Sequence, residues 1–194
     1  MDTDGQCPSF ILANIARLIT QNGRSKANFL SDQAEAKKCL FVGVTETWLS
    51  EAVLDSEVTH DFPGYSLFRC DRSGGRQGCG VALYLREDLT GDVLAKYANS
   101  VCELLVVKIH QLDTVVCLVY RPPDTRVNEF SGLLKCKDDT LSSLPSPTPN
   151  IILMGDLNLP KESVTWNRSQ DGYLLPLVAN HREEETSGGK QDRL

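Results

Sequence analysis

The strongest structural signal in the chain is the stretch IILMGDLNLP, residues 151–160. A short apolar run rich in Ile and Leu is typical of a buried strand, and this one breaks at Gly155 before Asp156 and Asn158. Because side chains alternate along a strand, a spacing of two predicts that both polar side chains lie on the same face. A carboxylate beside an amide at a strand end can orient a water molecule and contact a phosphate oxygen.

The same two residues have a simpler interpretation, since Asp and Asn are common in the turns that follow strands. Three other predicted strand ends also carry polar residues, namely Asn14, Glu46 and Tyr120. Mg²⁺ prefers carboxylate oxygen and retains several waters, so Glu46 alone could anchor it beside a substrate phosphate. Phosphodiester hydrolysis also needs a positioned water, which suits Asp156. Donors for the charge on the phosphate could come from Asn14, Asn158 and Tyr120.

The composition is that of an ordinary globular domain. The chain has 194 residues, of which 41% are hydrophobic and 24% charged, and its formal net charge is −6. Such a length allows one domain with a core. The negative charge argues against a module that binds DNA through phosphate contacts alone, because that needs a basic surface. It does not exclude a nuclease, since acidic residues that hold a divalent cation lower the net charge themselves.

Cysteine and histidine usage predicts neither a disulfide framework nor a zinc site. The seven cysteines are an odd number without a closely spaced pair, and the three histidines are scattered. We therefore expect reduced thiols and an intracellular protein, in the nucleus or the cytoplasm. The first residues, MDTDG, lack the layout of a secretory signal, and no apolar run reaches membrane-spanning length.

Hydrophobic patterning predicts many strands and few helices. Strands are expected over residues 9–13, 40–45, 65–69, 81–85, 104–109, 115–120 and 151–155. Helices are expected over residues 25–36, with Phe29 and Leu30 on the apolar side, and over residues 128–144. This mixture predicts an α+β layered sandwich. We expect an N-terminal extension over residues 1–8, one domain over residues 9–178 and a polar tail over residues 179–194.

Six short motifs occur in one order along the chain. They are TETWL (45–49), FPGY (62–65), RCDR (69–72), GCGVALY (78–84), VYRPP (119–123) and GDLNLP (155–160). Together they resemble the endonuclease/exonuclease/phosphatase superfamily, and specifically the apurinic-endonuclease-like domain of non-LTR (LINE-type) retrotransposons. The resemblance extends from about residue 9 to residue 166. Each motif is weak alone, whereas six in order with matching spacing are specific.

The resemblance implies a four-layered αββα sandwich that nicks DNA as a monomer, with Mg²⁺, or Mn²⁺ in its place, as the cofactor. In such an element the nick frees a 3′-hydroxyl that primes reverse transcription, so a reverse transcriptase is expected downstream. By motif, Glu46 would be the metal ligand and Asn14 would assist at the metal or the phosphate. Tyr120 would donate to the phosphate. Asp156 would orient or deprotonate the attacking water, and Asn158 would bind phosphate and hold the catalytic histidine.

The chain departs from the family pattern in three places. Ala16 stands where an acid often follows the strand-one Asn, and Cys79 stands where a third Gly is frequent. The final strands, which carry a further Asp and a Ser-Asp-His sequence, are not found, and His60, His110 and His181 do not fit that role. We therefore expect a C-terminally truncated domain with impaired turnover.

Several residues have plain structural interpretations. Arg72 and Arg76 could touch DNA phosphate, although a solvated loop is the expected setting for both. Trp48 is expected to pack rather than to stack on a base, and Cys79 to be structural. Three functions remain open: a Mg²⁺-dependent retroelement endonuclease, a catalytically inactive remnant or binding module, and a phosphatase on the same scaffold. The order of motifs favours the endonuclease.

Overall fold

The computed structural model describes residues 9–19, 26–72, 79–99, 102–123, 131–144 and 150–158. The helices are α1 (Ala27–Ala36), α2 (Asp55–Thr59) and α3 (Ser131–Ser142). The strands are β1 (Phe10–Asn14), β2 (Phe41–Thr45), β3 (Tyr65–Cys70), β4 (Val81–Arg86), β5 (Gly91–Ala98), β6 (Glu103–Ile109), β7 (Thr114–Tyr120) and β8 (Asn150–Asp156). The predictions for residues 1–8, for the loop with Arg76 and for residues 159–194, which include His181, lie outside this described part.

The strands form two four-stranded sheets, ordered β1-β2-β4-β3 and β5-β6-β7-β8. Two pairs are parallel, β1 with β2 and β7 with β8, and the other neighbours are antiparallel. In the first sheet Asn14 lies opposite Thr45, and in the second Tyr120 lies opposite Asp156. The parallel pairs therefore end level with each other, so the polar residues that follow them come to one edge of each sheet.

The two sheets pack face to face and a helix covers each outer face. The core between the sheets contains Phe41, Val81, Leu83, Leu85, Leu105, Val107, Ile109, Val116, Leu118, Ile152 and Met154. A second cluster joins α1 and α2 to the outer face of the first sheet, and a third joins α3 to the second sheet. The predicted α+β four-layered αββα sandwich is confirmed. Within the described ranges, no helix is long and apolar enough to cross a membrane.

Helix α1 presents a different face to the core from the one predicted. Leu30 is buried together with Ala27 and Ala34, whereas Phe29 is 66% exposed. Residues spaced by three and four share one side of a helix, and Phe29 lies about 100° away from Leu30. The prediction placed both residues on the apolar side and is wrong for Phe29. For α3, the predicted helix is confirmed over Ser131–Ser142, and residues 128–130 lie outside the described part.

Strand β5 was not predicted because its sequence lacks the pattern of a buried strand. It is an edge strand of eight residues, and Asp92, Val93 and Leu94 are all exposed in succession. A register shift between Val93 and Ala95 interrupts its pairing with β6. An edge strand with a bulge buries little apolar surface, so alternation of apolar and polar residues is not required.

Two glycines allow unusually close approach of neighbouring atoms. Gly155, with φ of +145°, lies so near β7 that a Cβ atom would be 1.8 Å from the carbonyl oxygen of Val119. Gly43, in the middle of β2, faces the opposite sheet, and a Cβ atom there would be 2.7 Å from the terminal methyl of Met154. At position 43, therefore, the Met154 side chain of β8 packs directly against the backbone of β2.

Candidate catalytic site

The ends of strands from both sheets bring together four of the five predicted site residues. Nδ2 of Asn14 lies 2.8 Å from Oε1 of Glu46 and also 2.8 Å from Oδ2 of Asp156. One amide nitrogen therefore donates to two carboxylates, one from each sheet. Because each carboxylate offers about four lone-pair sites, these bonds leave further oxygen positions open on both.

Tyr120 is the fourth member of this cluster. Its side chain is buried, with 4% exposed, and its hydroxyl lies close enough to Glu46 for that carboxylate to raise its pKa. Burial raises the pKa of Tyr120 well above its usual value, and the negative charges of Glu46 and Asp156 raise it further. The phenol therefore keeps its proton across the whole neutral range and acts as a hydrogen-bond donor.

Asn158, the fifth predicted residue, is held beside the cluster by the backbone. Its Nδ2 donates to the carbonyl oxygen of Arg121 at 2.7 Å, and its backbone nitrogen lies 3.2 Å from Oδ1 of Asp156. The contact between the Asn158 backbone nitrogen and Asp156 is typical of a turn after a strand, which was the simpler interpretation of these two residues. Strand β8 ends at Asp156 and Asn158 has φ of +43°, so strand alternation does not extend to it. The prediction of a common strand face is wrong.

Arg121 organises the loop after β8, a role that the sequence did not suggest. It is 3% exposed, and its Nη1 donates to the carbonyl oxygens of Leu157 and Asn158 at 3.0 and 2.8 Å. Its backbone nitrogen also donates to the carbonyl oxygen of Asp156 at 2.9 Å. In the sequence, the only indication of this role of Arg121 was its position in the VYRPP motif, directly after Tyr120.

The backbone around Glu46 is locked between two other loops. The carbonyl oxygen of Glu46 accepts from the backbone nitrogen of Arg17 at 2.7 Å, and the nitrogen of Trp48 donates to the carbonyl oxygen of Cys79 at 2.8 Å. Glu46, Trp48 and Cys79 have φ of +55°, +56° and +69°. Left-handed conformations cost free energy in residues other than Gly and often gather at functional sites. Gly80, with φ of +85°, follows in the same loop.

A buried ion pair supports this edge of the molecule. Nε of Arg72 lies 2.7 Å from Oε1 of Glu103, whose side chain is fully buried at the start of β6, opposite Tyr120. Burial raises the pKa of the Glu103 carboxyl, whereas Arg72 and the backbone N–H of Gly80 oppose that rise. The prediction that Arg72 lies on a solvated loop is wrong.

Two other expectations concern aromatic and thiol groups near the site. Cys79 is buried, and burial raises the pKa of its thiol to about 11, as expected for a structural cysteine. Trp48, predicted to pack, is 38% exposed, and the guanidinium carbon of Arg17 lies 4.8 Å from its ring centroid.

The family profile described as the Endonuclease/Exonuclease/phosphatase family matches residues 12–187, which is most of the chain. The matched segment contains all five candidate residues of the site. This chain belongs to the Endonuclease/Exonuclease/phosphatase family. No curated protein sequence matches it significantly.

Solved structures similar to this family member include enzymes with different substrates. The mannosyl-6-phosphatase Bt3783 of Bacteroides thetaiotaomicron has a TM-score of 0.53 and 14% identity, covering 76% of this chain and 64% of its own. The endonuclease domain of TRAS1, a telomere-specific non-LTR retrotransposon, has a TM-score of 0.50 and 18% identity. The match covers 78% of this chain and 61% of the TRAS1 domain. The AP endonuclease LMAP of Leishmania major has a TM-score of 0.52 and 17% identity, covering 77% and 55%.

These identities support a common fold and nothing finer. The chain spans less than two thirds of the length of each of the three solved proteins. The neighbours comprise a phosphatase and two endonucleases, so the shared fold selects neither the reaction nor the substrate.

Enzymes of the Endonuclease/Exonuclease/phosphatase family generally depend on a divalent metal ion. Within the described ranges, no three His, Cys, Asp or Glu side chains converge as a metal site. The donor set nevertheless suits a hard cation, because the carboxylates of Glu46 and Asp156 bind one amide nitrogen and are partly open to solvent. Mg²⁺ commonly uses one or two carboxylates and completes its shell with water and substrate phosphate. The residues therefore fit such an ion.

The histidines of the described part lie away from this cluster. His110 follows β6 at the end opposite the start of that strand, and its Nε2 lies 2.8 Å from Oδ2 of Asp92. His60 is exposed at the end of α2. Neither of these two positions suits an imidazole partner for Asn158.

Proposed function

We propose that this chain is the DNA-nicking endonuclease domain of a non-LTR retrotransposon and hydrolyses a phosphodiester bond with the help of Mg²⁺. The observation that carries the proposal is the pair of 2.8 Å contacts from Nδ2 of Asn14 to Glu46 and Asp156. They assemble two carboxylates of a kind that hard-cation hydrolysis needs.

Glu46 would hold the Mg²⁺ ion, or Mn²⁺ in its place, with Asp156 next to it. When bound, the ion would neutralise charge on the phosphate of the substrate. Asn14 keeps the two carboxylates close together, because its amide nitrogen donates to both. Without that donor, repulsion between two like charges would favour their separation.

Asp156 would orient the attacking water and accept its proton. Its Oδ2 is engaged by Asn14 and its Oδ1 by the backbone of Asn158, so the carboxylate is held in a fixed orientation. The protonated hydroxyl of Tyr120 would donate to the phosphate oxygen, and its raised pKa supports a donor role rather than a basic one. Asn158 would contribute a further contact to the phosphate.

The retroelement assignment rests on the ordered motifs, above all TETWL (45–49) and VYRPP (119–123). The likeness to the TRAS1 endonuclease domain supports the fold, and that to a mannosyl-6-phosphatase does so equally. We therefore infer DNA as the substrate, a nick that frees a 3′-hydroxyl, a reverse transcriptase downstream in the parent element and a monomeric domain.

A DNA-binding module without turnover is the second candidate, and the positions of His60 and His110, the two histidines among the described residues, favour it. His110 pairs with Asp92, away from the cluster, and His60 is exposed beyond it. Loss of acid–base assistance typically lowers a rate 10²–10⁴-fold. The two candidates differ in rate and not in the residues that contact the phosphate.

Nicking of supercoiled plasmid tests the proposal directly. We expect relaxed circles with Mg²⁺ and none with EDTA or with the Asp156→Ala variant. Asp32→Ala, which removes an exposed carboxylate on α1, is the matched control and should nick like the unchanged chain. Binding of plasmid by folded protein without nicking would support the binding module, and nicking that survives Asp156→Ala would refute the assigned site.

A further inference from the structure

Next to Glu46, the half-buried side chain of Arg17 lies over the partly exposed ring of Trp48. The guanidinium carbon of Arg17 is 4.8 Å from the centroid of the Trp48 ring, and Trp48 is 38% exposed. Stacking of Arg on Trp is favourable, but a large aromatic ring left in water forgoes the gain from its burial.

The pair is fixed rigidly to Glu46. The backbone nitrogen of Arg17 donates to the carbonyl oxygen of Glu46 at 2.7 Å, and that of Trp48 donates to Cys79 at 2.8 Å. Arg17 and Trp48 also have φ of +87° and +56°, conformations that ordinary residues rarely adopt. Trp48 lies two residues after Glu46, so the Cα atoms of these two residues are at most about 7 Å apart.

We propose that Arg17 and Trp48 form a stacking platform for an unpaired base of the DNA strand, next to the phosphate held at Asn14, Glu46 and Asp156. The inference rests on the proposed function and adds the position of a neighbouring base. Bases stack on both indole rings and guanidinium planes, and the cation also complements the phosphate backbone. Because the chain has a net charge of −6, a cation fixed at the site is important for attracting the negative phosphate backbone.

The occupant must be unpaired because both faces of a base within a duplex are covered by its neighbours. Away from the duplex ends, only a base that has left the stack can offer a face to Trp48, and leaving it is cheapest at a mismatch or an unpaired nucleotide. The platform therefore predicts tighter binding to duplexes that carry an unpaired base than to fully paired ones.

Tryptophan fluorescence tests this without any requirement for turnover. The chain has two tryptophans, so Trp166→Phe leaves Trp48 as the only source of tryptophan emission. In EDTA, we expect a duplex oligonucleotide with one unpaired base to quench this emission more strongly than the same duplex fully paired. Equal quenching by both, or none by either, overturns the proposal.

Binding affinities of variants give a second measurement on the same oligonucleotides. Trp48→Ala and Arg17→Ala should each weaken binding of the duplex with the unpaired base about 5- to 150-fold, the range for loss of one base stack. Trp48→Phe should retain most of the affinity, which separates stacking from a folding defect. Phe29→Ala and Arg86→Ala, an exposed aromatic and a cation at the far end of β4, are matched controls that should bind normally.

The two proposals fail in different ways. If Trp48→Ala and Arg17→Ala bind and nick like their controls while nicking still requires Asp156, the platform is wrong and the nuclease stands. If an unpaired base quenches Trp48 but no condition yields nicking, the platform stands and the proposed nuclease activity is wrong.

Discussion

The side chain of Asn14 donates to that of Asp156 at 2.8 Å, although 142 positions of sequence separate the two residues. Asn14 ends a strand of the first sheet and Asp156 ends a strand of the second. The contact therefore closes the gap between the sheets at the same edge where Glu46 lies. The geometry of the cluster depends on how the sheets pack, as well as on each strand separately.

Removal of this bridging donor should impair activity more than stability. We expect Asn14→Ala to slow plasmid nicking about 10- to 100-fold, since hydrogen bonds to charged groups contribute about 1.5–3 kcal/mol. The Tm should change little because Asn14 is exposed. Asn28→Ala, at an exposed amide on α1, serves as control. A nicking rate within twofold of the unchanged chain would contradict the bridging role.

Tyr120 should resist ionisation in alkaline solution. Burial, and then the charge of Glu46, raise its pKa, so the folded protein keeps the phenol proton where free tyrosine loses it. An ordinary tyrosine has a pKa near 10, so in a spectrophotometric titration to about pH 10.5 it forms tyrosinate whereas Tyr120 does not. The Tyr120→Phe variant should therefore form as many tyrosinates as the unchanged chain. One tyrosinate fewer in the variant would show that Tyr120 titrates normally.

The Arg72–Glu103 pair should make stability depend on pH once its cation is removed. Arg72→Met leaves a buried carboxylate unpaired, which we expect to cost about 3–5 kcal/mol in the free energy of unfolding. The pKa of Glu103, already raised by burial, rises further without Arg72. Between the unfolded and folded pKa values only the folded chain holds the proton, so stability falls as pH rises. Urea unfolding near pH 5 and pH 8 measures this.

The matched control for that experiment is the double variant Arg72→Met with Glu103→Gln, in which neither buried group carries a charge. It should recover part of the lost stability and show a smaller loss between the two pH values. A single variant that is equally stable at both pH values would mean that Glu103 is not isolated from solvent.

Two glycines with positive φ should differ sharply in their tolerance of a methyl group. Gly155→Ala should prevent β8 from pairing with β7, because the new Cβ would lie 1.8 Å from the carbonyl oxygen of Val119. Gly64 has φ of +78° with no atom within 4 Å of an added Cβ, so Gly64→Ala should cost only about 1 kcal/mol of backbone strain. Comparison of their Tm values tests this, and similar values would contradict it.

Much of the site could be predicted because local pattern marks where strands end. Asn14, Glu46, Tyr120 and Asp156 each follow or close an apolar run, and parallel pairs bring their ends level. The position of Asn158 could not be predicted in this way. Its conformation depends on a hydrogen bond from its side-chain amide to the carbonyl oxygen of Arg121, 37 residues earlier, and not on strand periodicity.

The Arg72–Glu103 pair and the exposed face of Phe29 were missed for a different reason. A charged side chain beside a glycine-rich segment gives no sign that its partner lies 31 residues away in the other sheet. Phe29 adjoins Leu30, and sequence alone did not determine where the helix begins or which of the two faces inward. Both outcomes depend on tertiary packing.

Gly43 and Met154 constrain each other across the core. A Cβ at position 43 would be 2.7 Å from the Met154 methyl and 3.2 Å from Leu118, so the methionine fills the place of a missing side chain. Strands β2 and β8 lead to Glu46 and Asp156. A larger residue at 43 should therefore spread the two carboxylates and weaken Mg²⁺ binding in a calorimetric titration, unless a smaller residue replaces Met154. In an evolving lineage these two apolar positions would change as a pair, although neither can touch the substrate.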